Sequence, residues 1–278
     1  MSGPAARSAG FTAVLALALG IAVTFFALPV LALFTQVPLR DLPDLLASAP
    51  VRQALEVTLR TTAVANAAIL LVGTPAAYLL ATRSFRGRGA LVTVIELPLV
   101  LPPAVAGIGL LAAFGASGLL GGDLADAGIV LPFTEWAVVL AVTFVAGPLY
   151  LRQALSAFEG VDPALTGAAR TLGAGPARTF RRVALPLAAS GLLAGWVLAF
   201  ARGIGEFGAT IIFAGNVQGS TQTLTLAIYE QLESDLDVAI AISVLLVVLS
   251  AGVLISYKVL TAWSGSAPTS APGFGRTS

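Results

Sequence analysis

Residues 11–34 carry no charged side chain and nothing more polar than Thr12 and Thr24. As a helix this stretch is about 36 Å long, enough to cross the hydrocarbon core of a bilayer. Further apolar stretches follow at 61–81, 90–114, 134–157, 187–214 and 238–261. Composition agrees: 57% of the 278 residues are hydrophobic and only 10% are charged. A soluble domain carries about 25% charged residues. A chain this apolar cannot cover its own surface with polar groups in water. The sequence therefore predicts an all-α, multi-pass membrane protein with six transmembrane helices. For the first run a cleaved signal peptide is the rival reading. Thr35-Gln36-Val37-Pro38 supplies no small-x-small cleavage site, so an uncleaved span is expected.

Several kinds of chemistry are excluded. The chain has no Cys and no His. Thiol nucleophiles, disulfides, Cys/His metal sites and imidazole bases are therefore absent. The carboxylates are scattered, which counts against a membrane-embedded enzyme. No GxxxxGK[ST] phosphate loop occurs, so any ATP must be handled by another polypeptide. The net charge of +1 and the lack of a basic patch interleaved with aromatics give no sign of a nucleic-acid partner.

The arginines orient the spans. Arg7, the Arg83, Arg86 and Arg88 group, the arginines of 158–186, and Lys258 fall on one side of a six-span arrangement. The positive-inside rule makes that side, and both termini, cytoplasmic. Arg40 is the exception, with Arg52 a possible second. Within the core, Glu56 and Arg60 are four apart and are expected to pair. Pro75 and Gly147-Pro148 predict kinks. The run 90–114 contains Glu96, Pro98, Pro102-Pro103, Gly107 and Gly109 and is expected to be bent or unwound. Gly191 and Gly195 form a GxxxG pair that permits close helix contact. The polar stretch 216–237 is placed outside, with a short helix at 224–232. The chain divides into a first span and outer loop (1–50), a core (51–262) and a Ser/Gly/Pro-rich tail (263–278) expected to be disordered. No internal repeat is evident, which gives no support to an inverted-repeat secondary transporter.

The longest polar interruption is 158–186, FEGVDPALTGAARTLGAGPARTFRRVALP. Asp162-Pro163 reads as an N-cap followed by a first-turn proline. Leu165, Ala168, Ala169 and Leu172 give a short apolar face, and Gly173 can close the helix in a left-handed conformation. Gly175-Pro176 starts a second short helix carrying Arg178, Arg181 and Arg182, which Leu185-Pro186 is expected to end. By periodicity this is either an amphipathic loop lying on the membrane surface or a docking element. Ala168-Ala169, Gly173, Val183 and Leu185-Pro186 resemble the EAA loop of ABC-importer permeases: Glu-Ala-Ala, three residues, Gly, nine residues, Ile-x-Leu-Pro. Gly167 stands where the family has Glu, and Val183 stands for Ile. The first change removes a carboxylate from the loop. The resemblance implies the type I ABC-importer permease fold. It also implies that Ala164, Leu165, Ala168, Ala169, Arg170, Leu172, Gly173 and Arg178 contact a cytoplasmic ATPase.

A second informative segment is FARGIGEFGATIIFAGN, residues 200–216. Arg202 and Glu206 share a helix face inside a span, where charges are costly. They either form a self-neutralising pair that fixes packing or line a translocation path with Pro102 and Pro103. GEFGAT, AGN and TQTLTLAIYEQLESDLDVAIAIS resemble the molybdate-importer permeases of bacteria, over about 54–258. Sulfate permeases are near relatives with a Tyr-Gly-Ser variant of Phe207-Gly208-Ala209. The resemblance implies a non-catalytic inner-membrane subunit that translocates molybdate, or tungstate, by alternating access. It implies a homodimer, two ATPase subunits that hold the ATP and Mg, and a periplasmic protein that delivers the oxyanion. A sulfate or thiosulfate permease and a stand-alone secondary transporter are the alternatives.

Overall fold

The computed structural model describes residues 4–38 and 40–264, with side chains described from 11 to 259. The expected disordered tail lies outside the described residues from 265 onward. Every regular element among the described residues is helical. Five helices are individually long and apolar enough to cross a bilayer, and a bent pair makes a sixth if taken as one span.

The centre is built from α3 (Ala49–Thr82), α7 (Glu135–Glu159) and α10 (Leu185–Ile204). α7 is the axis because its buried face is mostly Ala, Val and Gly, which lets neighbours approach. A Cβ added at Gly191 of α10 would lie 2.5 Å from the Cβ of Ala157, and one at Gly195 would lie 2.9 Å from that of Gln153. The GxxxG expectation is met. Such close contact supplies the van der Waals packing that holds helices together where lipid offers no hydrophobic drive. Pro75 and Pro148 are carried inside uninterrupted helices. α1 (Pro4–Gln36) lies at the edge against α13 (Leu236–Ser264), and none of its most apolar window is buried. α2 (Leu42–Leu46) caps the loop between α1 and α3.

The run 90–114 is broken as expected. α4 (Arg88–Glu96) passes through a 3-10 turn, Leu97–Leu99, and α5 (Pro103–Phe114) leaves at 114° to it. Consecutive prolines cause this: Pro102 is extended (φ −55°, ψ 136°) and neither ring can donate to the ladder. The pair nonetheless advances along α7. Arg88 pairs with Glu159 and Glu96 with Arg152, while Leu111 and Phe114 share a cavity wall with Leu131 and Phe133 beyond the opposite end of α7. α6 (Gly121–Asp126) sits in the loop that follows.

Three expectations are corrected. Arg60 pairs with Glu135 of α7 rather than with Glu56, because α3 and α7 pack side by side and bring the acid to it. Leu185-Pro186 does not end the second short helix. α9 (Pro176–Thr179) continues through a π turn, Phe180–Ala184, into α10. There the Leu185 N–H donates to the Phe180 carbonyl, a widened turn that makes room ahead of the Pro186 ring. The fifth span does not run to 214. α10 stops at Ile204, and a separate short helix, α11 (Gly208–Phe213), follows. The polar stretch holds α12 (Leu224–Ser234) where a short helix was expected, and α13 (Leu236–Ser264) closes the bundle.

Candidate functional site

The elbow is set by local chemistry. Asp162 Oδ1 accepts the Ala164 N–H at 2.8 Å, and Pro163 occupies the first turn of α8 (Pro163–Thr171). At the other end Gly173 has φ +84°, a left-handed conformation natural to glycine. Its N–H donates to Arg170 O, and that of Ala174 to Ala169 O, both at 3.0 Å, which is a Schellman closure. Leu165 and Leu172 are 48% and 87% exposed, and Ala168 is exposed between them. Ala169 and Thr166 are half-buried on the side facing the bundle. The apolar face of α8 is therefore turned away from its own chain.

Behind this face the elbow is fixed. Tyr78, Phe158 and Phe180 form an aromatic knot joining α3, α7 and the π turn, with ring centroids 4.7 to 6.2 Å apart. Thr179 is fully buried and its hydroxyl donates to Gly175 O at 3.2 Å. Arg88 adds an ion pair to Glu159 and donates through Nε to Leu80 O at 2.7 Å. The π turn makes α9 and α10 one continuous rod.

Some 26 Å along that rod, at 1.5 Å per residue from Leu185, lies the second region. Arg202 Nη1 is 2.7 Å from Glu206 Oε2. Glu206 is only 2% exposed and lies just past the end of α10. Its Oε1 accepts the Ala209 N–H at 2.8 Å, capping α11, and its carbonyl accepts the Thr225 hydroxyl at 2.7 Å. One residue thus ties the end of α10, the start of α11 and the start of α12. The break in α4–α5 meets this break: a Cβ at Gly208 would be 2.6 Å from the Cβ of Pro103, and one at Gly107 would be 2.8 Å from that of Ile212. Beyond it, Asn216 and Gln222 both donate to Glu230 Oε2, holding the loop between α11 and α12 to α12.

Arg202 and Glu206 are brought together, and Pro103 meets the same junction through Gly208, with Pro102 and Pro103 both exposed. Ala164, Leu165, Ala168, Ala169, Arg170, Leu172 and Gly173 gather on α8 and its closure, while Arg178 lies beyond the elbow on α9. Residue types alone missed Thr225, Gly208 as the seat of Pro103, and the aromatic knot. Phe158 and Phe180 flank the two short helices of the elbow and were a readable signal, but Tyr78, far upstream, was not.

A bundle of bilayer-length helices with a rigid, apolar-faced elbow at one end and a polar break inside has the layout of a membrane transport component. The chain belongs to the family described as binding-protein-dependent transport system inner membrane component, which matches residues 69–264. It is 44% identical over 237 residues to the molybdenum transport system permease protein ModB of Mycobacterium tuberculosis, covering 84% of this chain and 88% of that protein. It is 43% identical over 186 residues to the protein of that name from Escherichia coli, covering 66% and 81%. In fold it is similar to a chain of a bacterial alginate ABC transporter solved with an alginate-bound periplasmic protein. The TM-score is 0.76 with 17% identity, covering 94% of this chain and 96% of that one. A chain of the MetNI methionine ABC transporter in an inward-facing form gives 0.59 with 20% identity, covering 77% and 95%.

Proposed function

We propose that this chain is the permease subunit of an ATP-driven importer and carries molybdate across the cytoplasmic membrane. The observation that carries the reading is the outward-turned apolar face of α8, mounted on a rod continuous with α10. The identity to molybdenum permeases over most of the chain supports the substrate. Two copies of the chain form the path, two ATPase subunits grip the α8 elbows from the cytoplasm, and a binding protein delivers the oxyanion at the opposite face. The advance of α4–α5 along α7 supports a reading with six crossings, in which both termini lie on the cytoplasmic side with the arginines.

In this mechanism ATP closes the partner ATPase dimer and displaces the elbow. The π-joined rod transmits the motion to the Glu206 junction, where α10, α11, α12 and the α4–α5 break meet. Reorientation there opens the outer mouth. With Arg202 neutralised by Glu206, the junction acts as a pivot more than as an anion trap. That suits a path that must release a dianion, since selection then rests with the binding protein.

The test is uptake of molybdate by vesicles holding the chain with its ATPase and binding protein. ATP-dependent uptake that excess sulfate and thiosulfate do not suppress is expected. Suppression by equimolar sulfate would move the substrate to the sulfate class. Gradient-driven uptake by the chain alone would remove the importer reading.

A further inference from the structure

Four arginines of the bundle are paired with acids: Arg60 with Glu135, Arg88 with Glu159, Arg152 with Glu96 and Arg202 with Glu206. Arg178, Arg181 and Arg182 make no ion pair among the described residues. All are exposed, and with Ala177 they line one open cavity of about 390 Å³. No acid lines the cavity; on the elbow itself, Glu159 is taken by Arg88 and Asp162 caps α8. Spacings of three and four residues put the guanidinium groups on one side of the rod, where like charges repel unless an anion lies between them.

The cavity sits where the polar part of the rod becomes apolar. Pro186 is exposed one turn on, and Leu187 is 51% exposed beside it. That boundary is the level at which a lipid phosphate meets the hydrocarbon. The planar guanidinium fork matches phosphate oxygens two at a time, and basic clusters next to a membrane helix attract anionic headgroups.

We propose that Arg178, Arg181 and Arg182 form a headgroup site for an anionic phospholipid. Its phosphate is held among the three guanidinium groups and an acyl chain lies along α10 past Leu187. Arg178 then belongs to the lipid-facing side of the elbow rather than to the ATPase contact. A lipid seated here braces the rod at the point where the elbow would drive it. The inference does not rest on the transport reading.

The experiment is lipid binding to the purified full-length chain by native mass spectrometry, comparing phosphatidylglycerol with phosphatidylcholine of the same acyl chains. Wild type is expected to prefer phosphatidylglycerol at least tenfold. Arg178→Gln/Arg181→Gln/Arg182→Gln should bring the preference to within twofold, and the triple Lys variant should retain a clear part of it. If the triple Gln variant does not fold, Arg181→Gln/Arg182→Gln should still lower the preference at least threefold. An unchanged preference in the Gln variants, or none in wild type, overturns the site. Displacement of the lipid by millimolar inorganic phosphate or molybdate gives the arginines to a free oxyanion instead. Loss of ATPase co-purification with the lipid preference intact gives them to a protein contact.

Discussion

Pro103 rests directly on Gly208. The first residue of α5 and the first of α11 are so close that a Cβ on the glycine would lie 2.6 Å from that of the proline. Two interrupted helices, each with its backbone ladder broken, are pressed together at their breaks. Neither break is exposed to lipid alone, as irregular backbone within a bilayer requires. The Glu206 junction is assembled on this contact.

Gly208→Val should therefore be destabilising, because the seat of Pro103 is lost and overpacking costs about 1–3 kcal/mol. Thermal unfolding of the detergent-solubilised chain would register a lower midpoint. Gly122→Ala, where a Cβ meets nothing within 4 Å, is the matched control and should leave the midpoint in place.

Glu206 separates two roles by substitution. Glu206→Gln keeps an acceptor for the Ala209 N–H but loses the charge facing Arg202; Glu206→Ala loses both. Truncating one partner of a fully buried pair costs about 3–5 kcal/mol. Arg202 is about a third exposed, its side chain at 34%, so water compensates part and the alanine cost should fall near 1–3 kcal/mol. Gln should cost less than Ala, and Arg202→Gln/Glu206→Gln should recover stability lost in the single Gln variant. A Gln variant as unstable as the Ala variant would refute the capping role.

Leu172 is 87% exposed, so Leu172→Glu should leave the isolated chain within about 0.5 kcal/mol of wild type. Its effect should appear only in the complex, as lost co-purification of the ATPase with intact membrane insertion. Combining it with Gly173→Arg adds the strain of a bulky residue at φ +84°. Normal assembly of that double variant would remove α8 as the docking element.

Phe180→Ala opens the aromatic knot behind the elbow. Phe180 is only partly buried, so the loss should fall below the about 3–5 kcal/mol of a fully buried Phe→Ala, and lower still if Tyr78 and Phe158 close in. In the assembled transporter the expected signature is uncoupling: the ATPase still binds and hydrolyses ATP while substrate uptake falls more steeply. Equal losses in both activities would mean the knot only stabilises the fold.

The readable parts of this protein are those decided within one turn or one span. The membrane runs follow because a backbone in lipid must bond within its own segment, so an apolar run of sufficient length is already a helix. The α8 elbow follows from Asp162-Pro163 at one end and Gly173 at the other, interactions reaching five residues or fewer. The break at Pro102-Pro103 follows from two missing donors. Tertiary packing decided the rest. Arg60 turned from Glu56 to Glu135 because α7 lies beside α3. Pro186 was absorbed by a π turn held between Phe180 and the knot. The fifth helix stopped at Ile204 because Glu206 finds Ala209, Thr225 and Arg202 at once, and Gly208 had to make room for Pro103. Each of those outcomes compares partners from distant parts of the chain, and a local pattern holds no information about which of them will be adjacent.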